Sequence, residues 1–225
     1  MIDLILGLCL GYLIVTLCKS FYHRVSGHAT HKLRQLCPKL GSLGHIILDR
    51  WYSHYVIHHC TTFKHNYVTQ FSSRQEQLAC TEKLESENNH HIVAQSFGLR
   101  VVDTPIDYFS YMAPTVPFIM VLCCFNPTVE FILGALVPLA IMPLMSEFIH
   151  PLLHMDYQIA QQQAHPILKP ILKTRYFKYL AHHHWLHHRH PKYNFNLMLG
   201  GDWLFGCHRK ATTEEITEMK ALGLP

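Results

Sequence analysis

Four groups of closely spaced histidines are the residues of this sequence best suited to chemistry. The groups read HxxxxHxxH at residues 23–31, HxxxHH at 54–59, HxxxH at 150–154 and HxxHH at 184–188. Residues at positions i, i+3 and i+4 share one face of a helix, so each group can present two or three imidazoles in one direction. Neutral imidazole nitrogens are ligands for metals such as iron and zinc. A single HxxxH is typical of two solvated histidines on a helix, but four groups favour a metal site.

The number of histidines in these groups predicts two metal ions. About ten nitrogen donors exceed what one ion can use, so we expect two ions with about five ligands each. Two metals roughly 3.5–4 Å apart are a known catalytic arrangement. The sequence has no Gly-rich phosphate loop and no dinucleotide fingerprint that would indicate another cofactor.

The composition argues against an ordinary soluble domain. Charged residues make up 15% of the 225 residues and hydrophobic residues 49%, where soluble domains carry about 25% charged residues. Histidine (20) outnumbers Lys+Arg (19) and Asp+Glu (15). The net charge of +4 is too small to predict nucleic acid as a partner. The eight cysteines form no CxxC pair, which indicates buried or inert reduced thiols in a cytosol-facing protein.

An uncharged apolar run near the start predicts a membrane anchor over residues 2–18. The run covers residues 4–18, and Lys19 and further basic residues follow it with no acidic residue before Asp49. A cleaved signal peptide is the alternative, but it would need a basic start and a small-residue cleavage site, whereas this start carries Asp3.

A second apolar region predicts a helical hairpin. Between Asp107 and Glu147 the only charged residue is Glu130, and the length is close to the roughly 40 residues that two spans need. The turn-forming sequence Asn-Pro-Thr at 126–128 divides the region into predicted helices at 106–126 and 128–148. The alternative is a large buried helical core of a soluble protein.

Basic residues then orient the chain, because they are retained on the cytoplasmic side of a membrane. They cluster at 19–39 and again at 169–178, which places both histidine-bearing regions, 19–105 and 149–225, on the cytosolic face. We therefore predict an all-α integral membrane protein, multi-pass with about three transmembrane helices. Residues 1–225 form a single domain with a cytosolic helical cap, in the endoplasmic reticulum or a bacterial inner membrane.

From His23 to Cys207 the sequence resembles the fatty acid hydroxylase/sterol desaturase superfamily of membrane-bound, histidine-rich di-iron enzymes. The strongest stretch is HHHWLHHRHPKYNFNLMLGGDWLFG at 182–206, which resembles the last histidine box of the family and the Asp-Trp and Phe-Gly ending that follows it. The order of the four groups around a hairpin is also that of the family. Three features depart from the family pattern. The second group has three rather than two residues before its histidine pair, Met155 stands where related hydroxylases have histidine, and the stretch from His154 to His184 is long and contains His165.

The resemblance implies a ligand set and an activity. The implied metal ligands are His23, His28, His54, His58, His59, His150, His154, His184, His187 and His188. The implied cofactors are two iron ions, which zinc can replace in preparations, and the co-substrate is O2. The implied reaction is hydroxylation or desaturation at an unactivated C–H position of a lipid. Because the chain has no iron–sulfur or haem motif, electrons must come from a cytochrome b5-, ferredoxin- or reductase-type donor.

Several assignments stay open on sequence grounds. His90 and His91 follow Glu87 in a pattern close to HxxHH and are an alternative second group. His31 is expected beside the ligands rather than among them. Four acidic residues near the groups are candidates for holding ligand N–H groups, and the last is equally a candidate turn or helix cap: Asp49, Glu147, Asp156 and Asp202.

Two other functions compete with catalysis. A metal transporter or metal store would use the same histidines. Transporters place ionisable residues within the membrane, however, and the stretch between Tyr108 and Ser146 offers only Glu130. A catalytically silent relative could keep the metal for folding, because metal binding can supply folding free energy.

Overall fold

The computed structural model describes residues 1–68, 71, 73–88, 97–99, 112 and 115–225. Within these residues the chain is helical and contains no strand. The α-helices are α1 (Ile2–Tyr22), α2 (His31–Leu36), α3 (Ser42–Trp51), α4 (Arg74–Asn88), α5 (Val116–Cys123), α6 (Val129–Leu144), α7 (His150–Leu153), α8 (Tyr157–Gln163), α9 (Lys169–Leu172), α10 (Arg175–Arg189), α11 (Gly201–Leu204) and α12 (Thr213–Ala221). A 3₁₀-helix covers Cys37–Leu40, and π-helices cover His23–Gly27, Tyr52–Thr62 and Met145–Ile149.

Two helices are long and apolar enough to cross a membrane. Ile2–Gly27 combines α1 with the π-helix that continues it, and Val129–Leu153 combines α6, a π-helix and α7; each has a mean hydropathy of 2.0. They correspond to the predicted anchor at 2–18 and the predicted second arm at 128–148. Thr128 caps α6, because its hydroxyl accepts a hydrogen bond from the amide of Phe131 at 3.3 Å.

The predicted first arm at 106–126 is only partly covered by the described residues. Its described part contains α5, which is eight residues long. Residues 112, 115 and 124–126 of the arm are also described, and the others lie outside the described residues. The turn at 126–128 is confirmed: Asn126 adopts a left-handed conformation with φ +51° between the end of α5 and the start of α6. A third spanning helix stays a prediction.

The helices α1 and α6 run parallel and in close contact. The Thr128 hydroxyl donates to Asp3 Oδ2 at 2.9 Å at one end, and Lys19 Nζ donates to Ser146 Oγ at 3.2 Å at the other. Their backbones approach so closely that a Cβ atom at Gly7 would collide with the carbonyl oxygen of Phe131. The spans Ile2–Gly27 and Val129–Leu153 start at the same level and have similar lengths, 26 and 25 residues. Their carboxyl ends therefore bring the first and third histidine groups to the same side.

The carboxyl-terminal region packs beside these ends. A core of buried side chains joins α7, α8, α9 and α10, with Leu172 and Phe177 at its centre. A second cluster holds α12 against α10 through Met219 and Trp185. A capping box starts α12, since Thr212 and Glu215 exchange side chain-to-backbone hydrogen bonds. All eight cysteines are free, as predicted, although only two of them are buried.

Candidate metal centre

The π-helices carry or adjoin three of the four histidine groups. His23 begins the first π-helix, the second contains the histidines at 54, 58 and 59, and the third ends immediately before His150. In a π-helix the amide of residue i+5 bonds to the carbonyl of residue i, and His28 N donates to His23 O at 3.1 Å. Residues five apart therefore lie on one face, which brings His23 beside His28 with ring centroids 5.3 Å apart.

The first candidate metal-binding group, called the outer group here, consists of His23, His28, His54 and His187, with His59 beside them. One ring nitrogen from each of the first four lies within 4.8 Å of the others. The Nε2 atoms of His23 and His54 are 2.6 Å apart, and those of His28 and His187 are 3.0 Å apart. The Nε2 of His59 lies 3.1 Å from that of His54. Three of the four core members are only half-buried.

The second group, called the inner group here, consists of His58, His154, His184 and His188, with His150 beside them. The ligand atoms of the first four again lie within 4.8 Å of one another. The Nε2 of His184 is 2.8 Å from that of His154 and 3.1 Å from that of His150. The Nε2 atoms of His58 and His188 are 3.1 Å apart. All five side chains are buried. This cluster could hold a metal ion.

The histidine pairs at 58–59 and 187–188 each contribute one residue to each group. His58 joins the inner group and His59 lies with the outer group, and His188 and His187 divide in the same way. Successive side chains on a helix point in directions about 100° apart, so one pair can serve two neighbouring sites. The rings of His59 and His188 stack across the junction, with centroids 4.0 Å apart. The two groups are therefore adjacent parts of one centre.

Backbone carbonyl groups fix the tautomer of five of these histidines. The Nδ1 atoms of His154 and His187 lie 2.7 Å and 2.8 Å from the carbonyl oxygens of Tyr67 and Tyr193. The other three Nδ1 contacts are His58 to Phe97 O and His150 to Leu99 O, both at 3.3 Å, and His23 to Phe195 O. A carbonyl oxygen can only accept, so Nδ1 carries the hydrogen and the lone pair of the neutral ring is on Nε2.

This arrangement directs several lone pairs at each other. His150 and His154 both point an unprotonated Nε2 at the Nε2 of His184, which has at most one hydrogen to donate. At least one pair of acceptor nitrogens thus faces each other at about 3 Å with no hydrogen between them. Two facing lone pairs repel unless a cation lies between them, so the donor set fits a bound metal ion.

Burial keeps these rings in the neutral form that a metal needs. Removal from water lowers the pKa of His58, His184 and His188 well below the ordinary value and lowers that of His187 to about 4. At neutral pH the rings are therefore uncharged. No proton has to be displaced from them before a metal binds.

Two of the four predicted carboxylate partners, Asp202 and Asp156, bond to groups other than the proposed ligands. Asp202 is buried but accepts from His183 Nε2 at 3.1 Å, from Ser20 Oγ at 2.9 Å and from the amide of Asn196 at 2.9 Å. Asp156 caps α8. Asp49 is exposed and Glu147 is half-buried in a π-helix. Backbone carbonyls take the role that sequence reasoning gave to carboxylates, and no sequence pattern could have shown this because every residue has a carbonyl.

The other histidines that the structure describes lie outside the two groups. His31 is exposed at the start of α2. His45, His65 and His165 are also exposed, and His190 bonds to Glu215 at 2.8 Å. His90 and His91, the alternative second group, lie outside the described residues. Sequence reasoning also missed Phe63, whose ring stacks on His154 with centroids 4.0 Å apart.

A small cavity of about 60 Å³ touches both groups. His23 and His54 line it from the outer group, and His150 and His184 from the inner group. Lys19, Tyr22 and Ser146, near the carboxyl ends of the two long helices, form the wall on the side of those helices. Since one water needs roughly 10–15 Å³ on this measure, the cavity has room for a small molecule or a short length of hydrocarbon.

A larger cavity of about 580 Å³ lies on another side of the inner group and reaches only His154 among the ten histidines. Phe63, Phe71 and Phe97 form much of its wall. The smaller cavity is the one that joins the two groups, so we take it as the open position of the centre.

Comparison with known proteins gives no further guide to the centre. No protein-family model matches the chain, and neither the curated proteins nor the solved structures include a match. The description of the centre therefore rests on its own geometry: two adjacent groups of buried or half-buried neutral imidazoles, held by π-helices and backbone carbonyls, with one small cavity between them.

Proposed function

We propose that this protein is a membrane-bound di-iron oxygenase that hydroxylates or desaturates a lipid with O2. The observation that carries the proposal is the convergence of ten histidines into two adjacent groups whose Nε2 lone pairs face one another. Imidazole nitrogen suits iron, and two adjacent sites suit a two-metal reaction. The resemblance to the fatty acid hydroxylase/sterol desaturase superfamily supports iron over other metals.

The chain itself would contribute placement and exclusion of water. When bound, two ferrous ions would supply the oxidising power for a C–H bond by reducing O2. The carbonyls of Tyr67 and Tyr193 hold His154 and His187 in one tautomer, which keeps their Nε2 atoms available as ligands. The cavity between the groups would hold a short part of a lipid hydrocarbon chain. A cavity of this size would keep bulk water away from the buried inner group.

The membrane placement follows from the same helices. We propose that Ile2–Gly27 and Val129–Leu153 span a bilayer with their carboxyl ends on the cytosolic side. Basic residues at 19–39 come directly after the apolar run of the first helix, and basic residues are retained on the cytosolic side of a membrane. A lipid could then reach the cavity along the ends of these helices, where Tyr22 and Ser146 lie. Electrons would come from a separate donor protein, such as a cytochrome b5-, ferredoxin- or reductase-type partner.

Metal analysis combined with turnover tests this proposal. We expect about two iron ions per chain in protein purified without chelators, and an oxidised lipid product when lipid extract, O2 and a reductase system are supplied together. The variant His187→Ala should lose the product, whereas the exposed control His165→Ala should keep it. Iron-loaded protein with a competent reductase and no lipid product would contradict the proposal.

A structural or storage metal is the second candidate, and the burial of the whole inner group favours it. Metal in such a site contributes folding free energy instead of chemistry. In that case, His187→Ala would lower thermal stability and metal content, but the wild-type protein would form no O2-dependent product. Comparing the lipids of cells with and without the gene would separate the two functions without knowledge of the substrate.

A further inference from the structure

We propose that a surface formed by Tyr176, Tyr179, Trp203, Leu204 and Phe205 inserts into the headgroup region of the bilayer. We call this surface the interfacial patch. It lies on the carboxyl-terminal region, outside the two long helices, and no part of it touches the metal centre. The partner it fits is a lipid surface with its boundary between headgroups and acyl chains.

The interfacial patch consists of large exposed side chains in two parts, one on α10 and one at residues 203–205. Trp203, Leu204 and Phe205 are 55%, 64% and 45% exposed, and Tyr176 and Tyr179 are about 40% exposed. His208 links the two parts: its Nε2 lies 2.7 Å from the Tyr179 hydroxyl, and its ring centroid is 5.3 Å from that of Trp203. Three consecutive exposed apolar residues on a soluble surface would be unfavourable, so contact with lipid is the simpler account.

The patch is attached to α1 at the level where its apolar run ends. Ser20 Oγ donates to Asp202 Oδ1 at 2.9 Å, and the carbonyl oxygen of Thr16 lies so close to Gly201 that a side chain there would collide with it. Just before these residues in the chain, the carbonyl oxygen of Leu199 accepts a hydrogen bond from the Tyr12 hydroxyl at 2.7 Å.

The positions of these contacts along α1 indicate how deep the patch lies in the proposed bilayer. Helical residues rise about 1.5 Å each, so Tyr12 lies about 10 Å nearer the membrane centre than Lys19, the first basic residue. The segment that carries Trp203, Leu204 and Phe205 is therefore continuous with the surface of α1 that the proposed bilayer covers.

The backbone of this segment is prepared for an apolar environment. Five consecutive amides, from Trp203 to Cys207, donate to carbonyl oxygens within the segment at 2.8–3.3 Å. The amide of Gly201 donates to Thr16 Oγ1 at 2.8 Å. Backbone groups that face lipid must be satisfied inside the protein, because the hydrocarbon offers no partner. A surface loop in water has no such requirement.

The chemistry of the patch matches the boundary rather than the hydrocarbon centre. Trp and Tyr concentrate at membrane interfaces, where the ring lies among acyl chains and the polar edge reaches the headgroups. Exposed basic residues adjoin both parts of the patch in sequence, Arg175 and Lys178 on one side and Lys210 on the other. They suit the phosphate groups of anionic lipids.

The inference rests on the proposed membrane placement of α1 but not on the metal, the substrate or the catalytic activity. The test uses the full chain reconstituted into phosphatidylcholine vesicles containing a minority of phosphatidylglycerol. Some vesicles carry lipids brominated near the headgroup and others carry lipids brominated near the chain end. Bromine quenches tryptophan fluorescence only at short range, so it reports which tryptophan is near which depth.

The three tryptophans allow matched variants. Trp185 is 3% exposed and Trp51 is half-buried beneath Arg34, whose guanidinium carbon is 4.0 Å from the ring centroid. We expect shallow bromine to quench the wild type more strongly than deep bromine. Trp203→Phe should remove most of that quenching, and Trp51→Phe should leave it in place. Because Trp203 is more than half exposed, the Phe variant has little reason to misfold.

A carbonate wash separates the possible failures. If the chain stays with the vesicles but Trp203→Phe does not change the quenching, the patch does not contact lipid and the inference is wrong, while the membrane placement stands. If carbonate releases the chain, the membrane placement and the inference both fail. Retention with quenching that depends on Trp203 supports the inference whether or not the preparation has any oxygenase activity.

Discussion

The outer and inner histidine groups have the same chemistry but different surroundings. The outer group joins the end of α1 to the second π-helix and α10, and three of its four core members are half-buried. The inner group joins the second π-helix to α7 and α10, and all of its members are buried. The outer group therefore resembles an accessible site, whereas the inner group is part of the packed core.

The difference indicates unequal roles for the two sites. A ligand lost from the inner group leaves a cavity in the core and exposes other buried polar atoms, so metal binding and folding should change together. A ligand lost from the outer group can be replaced by water at small cost. The following predictions use this contrast, in order of decreasing effect.

Acid should empty both groups and destabilise the chain. The unfolded chain binds protons at histidine below about pH 6.5, whereas burial lowers the pKa of folded His187 to about 4. Because the folded pKa is depressed, the stability that the neutral ring contributes is present above about pH 6.5 and is lost as the pH falls toward 4. Thermal melts of metal-free protein between pH 7.5 and 4 test this, and metal analysis of the loaded protein should show the outer group releasing its ion first. An unchanged melting temperature over this range would contradict the description of the rings as buried and neutral.

His184→Ala should damage the inner group severely. Its Nε2 faces both His150 and His154, and its side chain is 4% exposed. Removal of a large buried side chain costs about 2–5 kcal/mol, and the loss of bound metal adds to this cost. We expect at most one metal ion per chain, a clearly lower melting temperature and no product. The exposed control His165→Ala should match the wild type in all three measurements.

His28→Ala should separate metal binding from folding in the outer group. The side chain is half-buried and pairs with His187 through Nε2 at 3.0 Å. We expect loss of one metal ion and of activity, with a smaller drop in melting temperature than His184→Ala causes. The measurement is metal content and differential scanning calorimetry on the two variants side by side. Equal destabilisation by both variants would show that the groups do not differ in the way described.

Asp202→Asn should have the smallest effect on metal content. The carboxylate accepts from His183, Ser20 and the Asn196 amide but touches no proposed ligand. An amide in its place cannot accept all of these bonds, and leaving a buried group unsatisfied costs about 1–3 kcal/mol. We expect a lower melting temperature with two metal ions still bound. Ser20→Ala, which removes one of the same hydrogen bonds, should shift the melting temperature in the same direction but less.

Sequence spacing predicted the members of the centre well and its internal pairing poorly. All ten predicted histidines come together, because four groups on two sides of an apolar region have few other ways to meet. The pairing of His23 with His28 and of His54 with His59 depends on π-helical turns, which put residues five apart on one face. An α-helical period, which sequence reasoning assumed, does not produce these contacts.

For the apolar helices, too, the sequence predicted the elements but not how they pack together. Hydropathy located α1 and α6 to within a few residues, because a long uncharged run has few alternatives to a spanning or buried helix. It could not show that the two helices run parallel and in backbone contact at Gly7, since that depends on which faces pack together. The same holds for the interfacial patch, because single exposed aromatic residues carry no periodic signal.

By itself, the sequence determined the helical class, the two long apolar helices and the identity of the histidines at the centre. Residue type and short-range spacing carry this information, because imidazole chemistry and apolar length are local properties. Only the tertiary structure decided which histidine joins which group, which backbone carbonyls hold the rings, and that Asp202 bonds to His183 and not to a proposed ligand. Those contacts link residues that are far apart in the chain, and they form only when the helices pack.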